Sequence, residues 1–332
     1  MIVQNPALLE RRPLAVKIAL FPLSALPPTG VSMADHIYEY YLEGGLSRWI
    51  GIFYGNDVAK VGPVRSARNF DAEIVQMYQS ALIFNGAHKS DDVEKLDVLG
   101  YLEEQLDKNY FIVEGTACEP YLCRDVNIPG YNNLFGNTYA MSQLITQRGI
   151  DNSRPNLESN YFLSMGIRSR MEAARIYTYF SFQSYNRWDY DAINERYLRF
   201  QGNSYESETY LQLIDRFTGQ PIGADNVIYL LVPHAFYYKS DESEIFDIDL
   251  SGSGDGYVFR DGLAYKVRWQ RTDKEKPISI QTMSGAAFPL KPGTTFFEIV
   301  NTTSEIQQND ADWIFEFQRP EDDSYEAEPK QD

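Results

Sequence analysis

The chain has 332 residues, 43% hydrophobic and 23% charged, a balance that suits a globular protein with a sizeable core and a length that favours two domains over one. Its 47 Asp and Glu outnumber 30 Lys and Arg, giving a formal charge of −17 that argues against a general nucleic-acid surface, since phosphate-backbone binding is driven by Lys and Arg. No run reaches the ~18 apolar residues of a membrane-spanning helix, and the three histidines all lie away from Cys118 and Cys123, which argues against a zinc site.

Arg12 to Leu20 reads as a short buried first strand, ended by Pro22 and Pro27-Pro28. The opening residues place their arginines after the first apolar positions and lack an apolar region with a small-residue cleavage site, so they do not read as a signal peptide. Ala34 to Glu43 and Leu46 to Tyr54 flank Gly44-Gly45, a hairpin pattern. A two-residue turn sets Glu43 against Leu46, Tyr41 against Arg48 and Glu39 against Ile50, with Glu39, Glu43 and Arg48 on one face. A helix is the competing reading of the first run, because Asp35, Glu39 and Glu43 recur every four residues. The bland account of these carboxylates is a solvated acidic face with Arg48 as partner.

Gly62-Pro63-Val64-Arg65-Ser66-Ala67-Arg68 then sets two guanidiniums and a hydroxyl between a strand and a helix start. Phe70, Ile74, Met77 and Ala81 mark that helix, with Asn69 as its cap. Ala81 to Gly86 is a strand, and His88 lies at its end, where α/β proteins bind ligands. A second helix runs from Ser90-Asp91-Asp92 to about Lys108, with Asp91 and Glu94 at capping-box spacing. Phe111 to Glu114 is a strand. Gly115 to Gly136 is loop-rich and holds both cysteines, as a local disulfide or two free thiols. Asn137 to Arg148 is a helix stopped by Gly149.

After Asn152-Ser153-Arg154-Pro155 the helical period gives way to short aromatic β segments. The chain therefore divides into an α/β domain over 1–168, a helix-flanked mixed sheet, a mainly β domain over 169–317, and an acidic disordered tail over 318–332. The fold class is α/β in the first part and α+β overall. Aromatics at 14% of the chain fit strand packing, with a carbohydrate- or peptide-facing surface as the alternative. Ser251 to Gly256 lacks the lysine and following helix of a phosphate loop and reads as a flexible entry to the hairpin Tyr257 to Tyr265.

The linked set Arg12-Pro-Leu-Ala-Val16, Ala34-Asp-His-Ile-Tyr-Glu-Tyr40, Glu43-Gly-Gly-Leu-Ser-Arg48 and Gly62 to Arg68, with Gly256 to Gly262 and Leu290 to Thr295, resembles the YerB-type lipoproteins of bacteria, a two-part family without an established reaction. The resemblance implies an extracytoplasmic, cell-envelope location, with membrane association only through a lipid anchor whose cysteine is absent from this sequence. Asn85-Gly86-Ala87-His88 and Tyr131-Asn132-Asn133 depart from the family pattern.

The candidate ligand-binding residues are Arg65, Ser66 and Arg68, with the first N–H groups of the following helix, faced by Glu39, Glu43 and Arg48. A helix start and a guanidinium fork both favour a small anion or an anionic envelope polymer. The competing account is that the arginines pair with the carboxylates and lock hairpin to helix. A hydrolase or transferase with Glu39 or Glu43 as acid/base is the second functional reading. No Ser-His-Asp, zinc or P-loop constellation supports it, and neither catalytic residue nor cofactor is assigned.

Overall fold

Leu14-Ala-Val-Lys-Ile18 carries no polar alternation, the pattern of a strand covered on both faces, and all five residues are buried. The computed structural model describes residues 3, 5–115, 118–157, 160–204 and 206–321. Its first part supplies β1 (Leu14–Ile18), β2 (His36–Tyr41), β3 (Ser47–Phe53), α1 (Asp71–Tyr78), β4 (Ala81–Phe84), α2 (Val98–Gln105), β5 (Phe111–Val113), β6 (Leu122–Arg124), β7 (Leu134–Gly136) and α3 (Thr138–Gln147). Thereafter the described elements are strands: β8 (Met171–Glu172), β9 (Arg175–Ser181), β10 (Ser184–Asp191), β11 (Arg196–Gly202), β12 (Tyr210–Gln212), β13 (Gly223–Ala224), β14 (Asn226–Val232), β15 (His234–Lys239), β16 (Glu244–Ile248), β17 (Gly252–Arg260), β18 (Leu263–Arg271), β19 (Ser279–Thr282), β20 (Thr295–Asn301), β21 (Glu305–Asn309) and β22 (Asp312–Glu316). The expected α/β first part and β-rich second part are thus observed.

The two parts share one sheet, in the order β19-β18-β17-β14-β20-β2-β3-β1-β4-β5, with β8 on β18. The join is the parallel pairing of β2 with β20, His36 opposite Thr295 through Tyr40 opposite Ile299. A second sheet, β12-β11-β10-β9-β22-β21, packs on one face of the first, where Tyr229 stacks on Phe315 at 3.8 Å and Trp188 meets Phe296 at 4.8 Å. Helix α1 covers the other face, with Tyr78 against Tyr38.

Several local expectations need correction. Residues 36–41 form a strand, as the hairpin reading expects, and the competing helix falls. The hairpin loop is one residue longer than a two-residue turn: Leu42 N–H donates to Leu46 O at 2.7 Å, and Glu39 stands opposite Trp49 while Tyr40 stands opposite Arg48. Since strand side chains alternate faces, this single slip sends Glu39 to the second sheet and leaves Arg48 on the helix side. Phe70 occupies the cap position of α1, and Asn69 makes no capping bond. The second helix begins only at Val98, where Asp97 accepts from Gly100 N–H at 3.0 Å. The glycine-rich 252–256 stretch, expected as a flexible entry, is instead part of β17, held by pairing with β18 along its length. Cys118 and Cys123 are bridged, within a region that also holds the short β6–β7 hairpin. The tail expected over 318–332 lies, from 322 on, outside the described residues.

Glu39 arrives in a dry cluster between the sheets. Arg199 on β11 donates to Glu39 Oε2 at 2.5 Å and to Glu298 Oε1 at 2.7 Å, and all three side chains are inaccessible to solvent. Trp49 and Trp188 add indole N–H bonds to the two carboxylates, and Ser47 donates to Glu39 Oε1 at 2.6 Å. The guanidinium lies within 5.3 Å of the Trp49, Trp188 and Phe296 ring centroids. Two carboxylates share one cation, and Glu298 Oε2 has no partner among the described residues. Burial, and then the charge of Glu39, pushes the Glu298 carboxyl up to about 8 from its usual 4.5.

A raised carboxyl pKa stabilises the fold most below about pH 4.5, and that contribution is lost as pH rises through about 8. Glu298→Gln, a neutral isostere, is expected to remove that loss. Thermal melts from pH 6 to 9 should show the wild type falling relative to the variant, with a slope approaching roughly 1.4 kcal/mol per pH step of one until the carboxyl ionises in the fold. Arg199→Met leaves the Glu39 carboxylate and the Glu298 carboxyl without their buried donor and is expected to cost about 3–5 kcal/mol in urea unfolding at neutral pH. Intact-mass measurement of unreduced protein should show one disulfide, reversed by reductant; two alkylatable thiols would refute the bridge.

Candidate functional site: arginines at the sheet edge

The 62–68 segment is an extended strap across the carboxyl ends of the parallel strands β1 and β4. Ala19 N–H donates to Pro63 O at 2.9 Å and Arg65 N–H to Lys17 O at 3.0 Å; Asn85 N–H donates to Arg65 O, and Ala67 N–H to Gly86 O, both at 3.0 Å. Its other side is tied to β7 through Val64 N–H to Leu134 O at 2.8 Å. Gly62, at φ +151°, passes so close that a Cβ would lie 2.8 Å from Leu134 O, so a side chain there would force the strap away. These backbone bonds fix where the arginines of the strap stand, at the carboxyl ends of two parallel strands, where α/β proteins place ligands.

Arg48, Arg65, Arg68 and Lys17 gather at this edge. Arg68 grips Glu43 with Nε to Oε2 at 2.8 Å and a second, shorter bond from Nη2. Burial would raise the Glu43 carboxyl, but Arg68 outweighs it and holds the pKa near 2. Lys17, inaccessible to solvent, donates to Asp71 Oδ1 at 2.9 Å and contacts Tyr40 OH. Burial pulls its pKa down to about 7 against the pull of Asp71. Arg48 donates to Ser66 O at 2.8 Å; burial and then Arg68 lower its pKa to about 10. Arg65 has no ion-pair partner among the described residues, its Nε is buried and unbonded, and burial with the neighbouring Arg68 and Arg124 charges lowers its pKa.

The expected site is therefore only partly assembled. Arg48, Arg65, Arg68 and Glu43 come together, and Ser66 contributes its carbonyl, while its hydroxyl reaches Asn85 O at 3.4 Å. Glu39 is absent, for the register reason above. The first N–H groups of α1 are also taken: those of Asp71, Ala72 and Glu73 donate to Arg68, Asn69 and Phe70 carbonyls, and Asp71 Oδ2 accepts Arg68 N–H at 2.8 Å. The helix start thus carries its own anion. Arg68 and Glu43, with His88, line a cleft of about 410 Å³ whose far wall is the 240–245 turn. Among the described residues no group of three or more His, Cys, Asp or Glu is placed to hold a metal.

Lys17, Asp71, Arg199 and Glu298 were not singled out from the sequence. A signal existed: Lys17 interrupts Leu-Ala-Val-Lys-Ile and Glu298 interrupts Phe-Phe-Glu-Ile-Val, and a charge inside an otherwise apolar strand needs a buried partner.

Residues 2–151 match the N-terminal domain, and residues 176–297 the C-terminal domain, of DUF3048, a protein of unknown function. The chain is 26% identical over 302 residues to "Putative lipoprotein YerB" of Bacillus subtilis (strain 168), an alignment spanning 88% of this chain and 82% of that protein. It superposes on the crystal structure of the B. subtilis YerB protein with a TM-score of 0.66 at 22% identity, over 90% of this chain and 94% of the other.

Breaking the Lys17–Asp71 pair leaves a buried charge, whereas removing both members does not. Asp71→Asn is expected to cost about 3 kcal/mol or more, and Lys17→Met with Asp71→Leu to recover most of that loss. Urea unfolding of wild type and both variants is the check; a double variant that loses as much as Asp71→Asn, or more, would refute the expected recovery.

Proposed function

Since the chain belongs to the DUF3048 family, proteins of unknown function, we propose from its own geometry that it is an extracytoplasmic envelope protein that holds an anionic group at Arg48, Arg65 and Arg68. The carrying observation is the excess of cations at the strap: Arg48 and Arg65 have no carboxylate within ion-pair distance among the described residues, in a chain with seventeen excess negative charges. Guanidiniums that repel one another and are part-buried are relieved by phosphate, sulfate or carboxylate, which a planar fork binds at two points. The location rests on the lipoprotein name of the B. subtilis relative. A hydrolase or transferase is less well supported: Glu39 is sealed between the sheets, and Glu43, held near 2, stays ionised and is a poor general acid at neutral pH.

Thermal melts with phosphate, sulfate or polyglycerol phosphate test the reading. The wild type should melt higher with at least one of them. Arg65→Ala should melt close to the unliganded wild type and lose that response, and Glu43→Gln, which frees Arg68, should enhance it. If no anion raises the wild-type melting temperature while Arg65→Ala melts far lower, the strap is structural and the proposal fails.

A further inference from the structure

At the opposite end of β2 lies a second cleft, of about 360 Å³, where both parts of the chain meet: His36 and Ile52 come from the first, Pro277 and Pro292 from the second, and Leu157 and Phe162 from the segment between. Its walls are mainly apolar, and its volume falls at the small end of the ~300–1,000 Å³ of small-molecule sites.

One polar group in it is unspent. His36 Nδ1 is 2.6 Å from Tyr78 OH, which is 2.7 Å from the buried Tyr38 OH. Tyr38 OH has no other hydrogen-bond partner among the described residues. If His36 carried its proton on Nδ1, donation would run outward to Tyr78 and then Tyr38, stranding the Tyr38 proton in the core. Running the other way, Tyr38 donates to Tyr78 and Tyr78 to Nδ1, and both hydroxyl protons find an acceptor. The ring then bears its proton on Nε2, which has no partner among the described residues. Burial holds the imidazole neutral, with its pKa down near 3. The other ionisable groups of the cleft limit the charge of an occupant. Asp35 in the cleft wall is spent on the Tyr54 and Gly55 N–H groups at 2.9 and 2.7 Å, and Arg154 on the rim stands 3.9 Å from Glu10, so neither leaves a charge for an ionic occupant to answer. Tyr54 OH is already committed to Leu9 O at 2.7 Å.

We infer that this cleft is a binding site, distinct from the arginine strap, for a small uncharged molecule with an apolar body and a carbonyl acceptor that takes the His36 Nε2–H bond. Tyr78 is a positioning residue, which fixes the tautomer through Nδ1.

Protein labelled with ¹⁵N at its three histidines reads both tautomer and binding by NMR. Three probes sharing one ring are compared: N-cyclohexylacetamide, the anion cyclohexylacetate and the cation cyclohexylammonium. The free protein should show His36 protonated on Nε2. The amide should shift that resonance saturably, with the two ions binding at least tenfold more weakly. His36→Phe keeps a ring and removes the donor, and should weaken amide binding roughly fivefold to tenfold. Tyr78→Phe, useful if the first variant misfolds, should introduce the Nδ1-protonated form and weaken the amide. An Nδ1-protonated free ring, no response to the amide, tighter or equal binding of either ion, or undiminished affinity in the folded variants would overturn the inference.

Discussion

A guanidinium sealed between two sheets has to be met by carboxylates, and the bond from Arg199 to Glu39 and Glu298 is the constraint on which this fold turns. Glu39 is on β2, Glu298 on the adjacent β20, and Arg199 on the second sheet. One side chain therefore ties the first part of the chain to the second and one layer to the other. Hydrophobic contact holds layers together without fixing how they slide, whereas hydrogen bonds to both carboxylates fix the offset. The surrounding indoles add N–H bonds to Glu39 Oε2 and Glu298 Oε1 and fill the space that water would otherwise take, leaving Glu298 Oε2 without a partner among the described residues.

The alternation of β2 sorts charge onto two faces. Ile37, Glu39 and Tyr41 look to the second sheet; Tyr38 and Tyr40 look to α1, where Tyr40 meets the Lys17–Asp71 pair. The same strand thus separates a structural ionic cluster from a cationic edge that reaches solvent. Its two ends also differ. The carboxyl end carries the hairpin and the strap arginines, and the amino end carries His36 and the apolar cleft.

Much of this was legible. Strand and helix order, the β-rich second part and the Asn137 and Gly149 boundaries of α3 follow from residue pattern, since capping and turn chemistry are local. Two features were not. Pairing of β2 with β20 joins residues far apart in sequence, and period-two patterning says that a strand has two faces without naming its neighbour. The register of the β2–β3 hairpin hung on whether Gly44-Gly45 or Glu43-Gly44-Gly45 makes the turn. The pattern reads as the shorter turn, the structure has the longer one, and that single residue moves Glu39 from a candidate site to the core. The strap was legible as a place where cations meet a helix start. That the helix amides were already spent depended on Asp71 folding back to Arg68 N–H.

The two ionic clusters have the same chemistry with opposite imbalance. Between the sheets the excess is negative, and a carboxyl can shed it by taking a proton, which is why the Glu298 pKa moves up. At the strap the excess is positive. Lys17 can give up a proton, and its pKa near 7 shows that relief partly taken. Arginine has no such exit, because its guanidinium keeps its proton at any pH the protein meets. Arg48 and Arg65 therefore remain charged beside Arg68, while among the described residues the carboxylates at this edge, Glu43 and Asp71, are paired with Arg68 and Lys17. A fold selected for stability alone would gain by replacing either arginine with a neutral residue. Keeping both is economical if their charge is answered from outside the chain, by an anion arriving at the open edge of the sheet.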